Sequence, residues 1–100
     1  MDAIEVTTFK LTAGLTIGDF IAANTDVDAW LLMQPGFRSR RIAQRGDGVV
    51  VDLLIWASAR DGEDAAARLM SELASSPVHT AIDQSTVSWT VTPICHRLDS

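Results

Sequence analysis

The run Val49-Val50-Val51-Asp52-Leu53-Leu54-Ile55-Trp56 is apolar on both of its faces. Read as a strand, it points Val49, Val51, Leu53 and Ile55 one way, and Val50, Leu54 and Trp56 the other. A half-buried strand alternates apolar with polar, whereas a strand covered on both sides does not. Whatever sheet contains this run must therefore be covered on each face. Residues 37–45 read as the preceding strand, and Gly46-Asp47-Gly48 supplies the positive φ that a short hairpin turn demands.

The rest of the chain offers helices for one face only. Residues 3–10 alternate as a strand, with Ile4, Val6 and Thr8 on one side and Glu5, Thr7 and Phe9 on the other. Thr16, three residues before Asp19, opens a helix expected over 17–33, whose buried stripe is Phe20, Ala23, Val27, Trp30 and Leu31. Pro35-Gly36 ends it. Ser58 or Asp61 caps a second helix, expected over 62–74, with Ala66, Leu69, Met70 and Leu73 inward. Ser76-Pro77 opens a short third helix to about residue 82. The last strand, expected over 86–95, contains Pro93, which lacks an N–H for a ladder and so belongs at a sheet edge or a bulge.

This order predicts a ferredoxin-like βαββαβ fold of class α+β, an antiparallel four-stranded sheet with helices on one face. The face turned from the helices is expected to carry Phe9, Leu54 and Trp56, with Glu5 and Asp52 among them. Left bare, it would expose roughly several hundred Å² of apolar surface, the scale of an interaction site. A homodimer packing sheet on sheet would cover it.

Composition narrows the classes. One hundred residues, 47% hydrophobic and 21% charged, make one folded domain, residues 1–100. A net charge of -5 argues against nucleic acid or an anionic membrane as partner. The lone Cys95 has no intramolecular disulfide partner, and no Cys/His cluster has zinc spacing. No secretory leader or run of about 20 apolar residues is present, so a cytoplasmic protein is expected.

Several segments together resemble a known family. They are Ile4-Glu5-Val6-Thr7-Thr8-Phe9-Lys10-Leu11, the helix reaching Trp30, Gln34-Pro35-Gly36-Phe37, the strand from Asp52 to Trp56-Ala57-Ser58, and Ile82-Asp83-Gln84-Ser85-Thr86-Val87. In this order they resemble the dimeric α/β-barrel superfamily, in particular antibiotic-biosynthesis-monooxygenase-like proteins. The resemblance implies a homodimer with a cavity between sheet and helices or inside the barrel. It spans cofactor-independent oxygenases, haem degraders, isomerases and proteins without known activity. The haem-degrading triad of Asn, Trp and His falls near Thr7, Glu72 and Ile82, so haem chemistry is not carried over.

The candidate site residues each have a functional and a structural reading. His79 is either a general base or ligand contact, or a helix residue in a satisfied polar contact. Glu5 and Asp52 are either cavity carboxylates poised for proton abstraction, or partners of an arginine. Arg40, among Arg38, Arg41 and Arg45, is the obvious partner, or else binds an anionic substrate. Phe9 and Trp56 form an aromatic wall for a polyketide-like molecule, or pack the core; Trp30 and Trp89 read as core or interface. Thr7 would complete a cavity with Asp52, Trp56 and His79. The expected function is a monooxygenase or isomerase acting on a small aromatic molecule, and the alternative is a non-catalytic ligand-binding or stress-type homodimer. No cofactor or metal is expected.

Overall fold

The computed structural model describes residues 1–100. Strands β1 (Ala3–Phe9), β2 (Phe37–Gln44), β3 (Val50–Trp56) and β4 (Ser88–Pro93) form one antiparallel sheet in the order β2-β3-β1-β4. Helices α1 (Ile17–Ala22), α2 (Thr25–Leu31), α3 (Ala59–Glu72) and α4 (Val78–Ala81) complete the ferredoxin-like α+β fold. No helix is long and apolar enough to cross a membrane. Pro93 ends β4, an edge strand, where its missing N–H breaks no ladder.

The two side-chain sets of each strand are as the alternation predicts, but the sheet is turned the other way round. Phe9, Val50, Leu54 and Trp56 face the helices, each at most 7% exposed, and pack with Phe20, Val27, Leu31 and Ala65. Glu5 and Asp52, both 8% exposed, lie on this same covered face. The bare face carries Ile4, Val6, Val51, Leu53 and Ile55 instead, all half-buried. Alternation separates two sets without ranking them. The bulkier set, with its large aromatic rings, fills the deeper space under the helices, and Phe9 and Phe20 pack with ring centres 5.1 Å apart and planes tilted by 57°.

The expected helix over 17–33 is two helices. Its start is as read: Thr16 and Asp19 form a reciprocal capping box, with bonds of 2.9 and 3.2 Å. The break comes at Asn24, which is fully buried. Its side-chain amide donates to the Phe20 carbonyl at 2.7 Å, the group that its own backbone N–H would bond in an unbroken helix. That N–H turns to the Ile21 carbonyl instead, at 3.1 Å, and the chain bends there. Asn24 thereby aims its side-chain oxygen at the sheet.

The α3 helix starts earlier than residue 62, because Ser58 is the cap and accepts from the Asp61 N–H at 3.1 Å. The earlier start brings Gly62 onto Trp56, where an added Cβ would lie 2.9 Å from the indole Cδ1. The inward face is Gly62 and Ala65, with Leu69 and Leu73 at its margin, while Met70 is 65% exposed. Small residues here let the helix approach the large ring. Beyond α4, Asp83 accepts from the Ser85 N–H and hydroxyl, and Gln84–Thr86 coils into a 3-10 turn. The last strand therefore begins at Ser88 rather than at Thr86.

Candidate functional site

Between the covered face of the sheet and the helices lies a cavity of about 330 Å³, within the size range of small-molecule sites. Phe9, Phe20, Val27, Leu31, Leu54 and Trp56 make its apolar body. Its lining residues nearest to solvent are Met70, Gln84, Val87 and Trp89, which mark the mouth between α3 and β4. Every residue singled out from the sequence, Glu5, Thr7, Phe9, Arg40, Asp52, Trp56 and His79, contributes to the lining.

Glu5 is central on β1. Opposite Ala3 on β3 is Trp56, and opposite Thr7 on β4 is Trp89, so Glu5 has an indole on each diagonal. Trp56 Nε1 donates to Oε1 at 2.8 Å and Trp89 Nε1 to Oε2 at 2.6 Å. Burial raises the Glu5 pKa above its ordinary value; the two indole bonds hold it down in part, while Asp52 adds to the rise and Arg40 opposes it.

This shift sets a sign for stability. Folded Glu5 keeps its proton to higher pH than the unfolded residue, whose value is 4.5. Between 4.5 and the raised value the native state binds more protons, so its stability falls as pH rises through that window. Above the window the ionised carboxylate carries its full desolvation penalty. In urea unfolding, wild type should gain stability relative to Glu5→Gln as pH is lowered from neutral to mildly acidic. A gap that moves the other way would refute a raised Glu5.

A second polar group joins three elements. Arg40 on β2 donates from Nε to Asp52 Oδ1 at 3.0 Å and from Nη2 to Asp52 Oδ2 at 2.6 Å, a two-pronged pair with β3. Its Nη2 also reaches Asn24 Oδ1 at 2.8 Å, and Nη1 reaches Asp28 Oδ1 at 2.9 Å. Both side chains of the Arg40–Asp52 pair are 11% exposed. Burial works against the guanidinium charge, but the bonds and charges of Asp52 and Asp28 outweigh it and raise the Arg40 pKa. Of the two readings of Arg40, the ion pair is the one the geometry realises.

His79 on α4 bonds the Leu73 carbonyl through Nε2 at 2.8 Å. A carbonyl only accepts, so Nε2 carries the proton, and in the neutral ring Nδ1 is left as acceptor. Thr7 lies across from Asp52 on one side and Trp89 on the other. No three His, Cys, Asp or Glu side chains gather as a metal site.

Two contributors escaped the sequence reading. Trp89, read as core or interface, is a 45% exposed mouth residue bonded to Glu5. Its alternation with Val87 and Val91 fixed its face, but only the register against β1 puts it beside Glu5. Asn24 is the other, and its one signal was a polar residue inside an otherwise apolar helical stripe.

Fold and cavity together define a ferredoxin-like α+β protein with a ligand-sized pocket under its helices. No protein-family profile matches the sequence, and no curated protein does. Solved structures do match. SnoaB, a cofactor-independent oxygenase from Streptomyces nogalater, is similar with a TM-score of 0.75 at 15% identity, over 99% of this chain and 98% of its own. The ActVA-Orf6 monooxygenase of Streptomyces coelicolor, solved with nanaomycin D, has a TM-score of 0.63 at 24% identity, over 98% and 92%. Rv0793 from Mycobacterium tuberculosis has 0.72 at 13%, over 99% and 100%. The same fold, over nearly all of this chain, is found in solved structures described as antibiotic biosynthesis monooxygenases.

Proposed function

We propose that this chain is a homodimeric, cofactor-independent monooxygenase or isomerase acting on a small aromatic, polyketide-like molecule. The observation that carries this is the apolar cavity with a buried carboxylate, Glu5, among its aromatic lining residues. The fold shared with SnoaB and ActVA-Orf6 supports the class of chemistry. In this reading Phe9 and Trp56 hold the flat molecule, and Glu5 and Thr7 meet its polar groups. His79 takes a proton through Nδ1, and Asp52 with Arg40 keeps the far wall rigid. The bare sheet face, with Ile4, Val6, Val51, Leu53 and Ile55, is covered by the same face of a second copy.

The test is dioxygen uptake with a panel of dihydroxynaphthalenes. The expected result is uptake above the protein-free rate, lost in His79→Ala with an unchanged circular dichroism spectrum. One feature favours the non-catalytic alternative: Arg40, Asp52 and the His79 Nε2 are all engaged in internal hydrogen bonds. Absence of uptake across the panel, with binding retained, would decide for it.

A further inference from the structure

Glu5 is a buried acid that makes no ion pair with any Lys, Arg or His. Its two partners are neutral indoles, one on each oxygen. A carboxylate has about four acceptor positions, so Trp56 and Trp89 leave roughly half of them open. The one lining cation that acts on its charge, Arg40, does so only at a distance and against the opposing charge of Asp52. Arg40 is matched by Asp52, and Asp28 adds a further negative group on the same guanidinium. Arg40 has committed Nε and both Nη2 hydrogens within the protein, so it has little left to offer an incoming anion. The polar character of the pocket is thus that of an acceptor with an unbalanced negative charge, set among apolar side chains.

From this we infer that Glu5 is the specificity-determining contact of the cavity. It takes an aromatic ligand that is uncharged and donates a hydrogen bond from O–H or N–H, and it turns away ligands that carry a carboxylate. The inference rests on the cavity being a ligand site, as proposed above, and adds which end of the ligand is recognised and by what. A donor from the ligand would complete the acceptor shell of Glu5. A second carboxylate would meet it across a medium that screens charge poorly, with no free cation to bridge the two. Trp89, partly exposed and bonded to the same carboxylate, places this contact at the mouth side of the pocket.

The experiment compares 2-naphthol with 2-naphthoate by isothermal titration calorimetry in mildly alkaline buffer, where the first is neutral and the second an anion. The rings are identical, so the pair isolates the polar end. Wild type should bind 2-naphthol about tenfold or more tightly than 2-naphthoate, the ratio expected for one hydrogen bond to a charged acceptor. In Glu5→Gln the preference should shrink or invert, with 2-naphthoate gaining affinity, a change that loss of folding cannot produce. Trp89→Phe, which removes one donor and keeps the carboxylate, should hold or widen the wild-type preference, and it stands as the test if Glu5→Gln does not fold. Equal binding of the two probes by wild type, no binding of either, or an inverted preference in Trp89→Phe would overturn the inference. Binding with the expected preference but no dioxygen uptake would leave it standing while removing the catalytic proposal.

Discussion

Replacing Arg40 with methionine should lower the free energy of unfolding by about 3–5 kcal/mol, the range for removing one partner of a buried ion pair. The pair is nearly inaccessible, with 11% of each side chain exposed, and its two bonds of 3.0 and 2.6 Å satisfy both oxygens of Asp52. Methionine fills much of the same volume but leaves Asp52 charged and unmatched under the helices. Asn24 also loses the partner of its side-chain oxygen, so the turn between α1 and α2 loses its tie to the sheet. The comparison is a urea unfolding midpoint at unchanged m-value. Pairing Arg40→Met with Asp52→Leu should recover a large part of the loss, because the penalty lies in the orphaned charge rather than in the missing attraction. A loss below about 1 kcal/mol for the single variant would mean that water already screens this pair.

Replacing Leu53 with lysine should convert the proposed homodimer to a monomer at micromolar concentration, as read by light scattering. Leu53 lies at the centre of the bare face, opposite Val6 on β1 and Arg41 on β2. In a two-fold, sheet-on-sheet dimer it is buried twice, once per subunit, so each association buries two unpaired charges. At several kcal/mol in all, dissociation strengthens roughly a thousandfold or more. The side chain points away from the helices and the cavity, so the far-ultraviolet spectrum of the monomer should match that of wild type. A wild type that is itself monomeric at that concentration would remove the dimer from the proposal.

The parts of this fold legible in the sequence are those governed by local rules. The capping box at Thr16 and Asp19, the hairpin turn before β3, and the split of each strand into two sets follow from chemistry within a few residues. What alternation does not hold is which set faces the helices, since Leu54 and Leu53 are the same residue type one position apart. Packing volume decides that, and the indole of Trp56 fits only where Gly62 and Ala65 make room. The break at Asn24 is a tertiary matter too, since its amide serves a helix carbonyl and its oxygen an arginine on a distant strand. The site was legible in its parts: Glu5, Asp52 and Arg40 stood out as charges among apolar neighbours. Their grouping was not, because the Arg40–Asp52 pair and the indole pair around Glu5 depend on strand register.

Two of the three tryptophans donate to one carboxylate, from strands on either side of it. Indole emission responds to the charge and hydration beside the ring, so whatever protonates, contacts or displaces that acid is written into the fluorescence of both at once. The molecule carries its own optical readout of its pocket, with no dye or label attached, and Trp56→Phe and Trp89→Phe would separate the inner signal from the outer one.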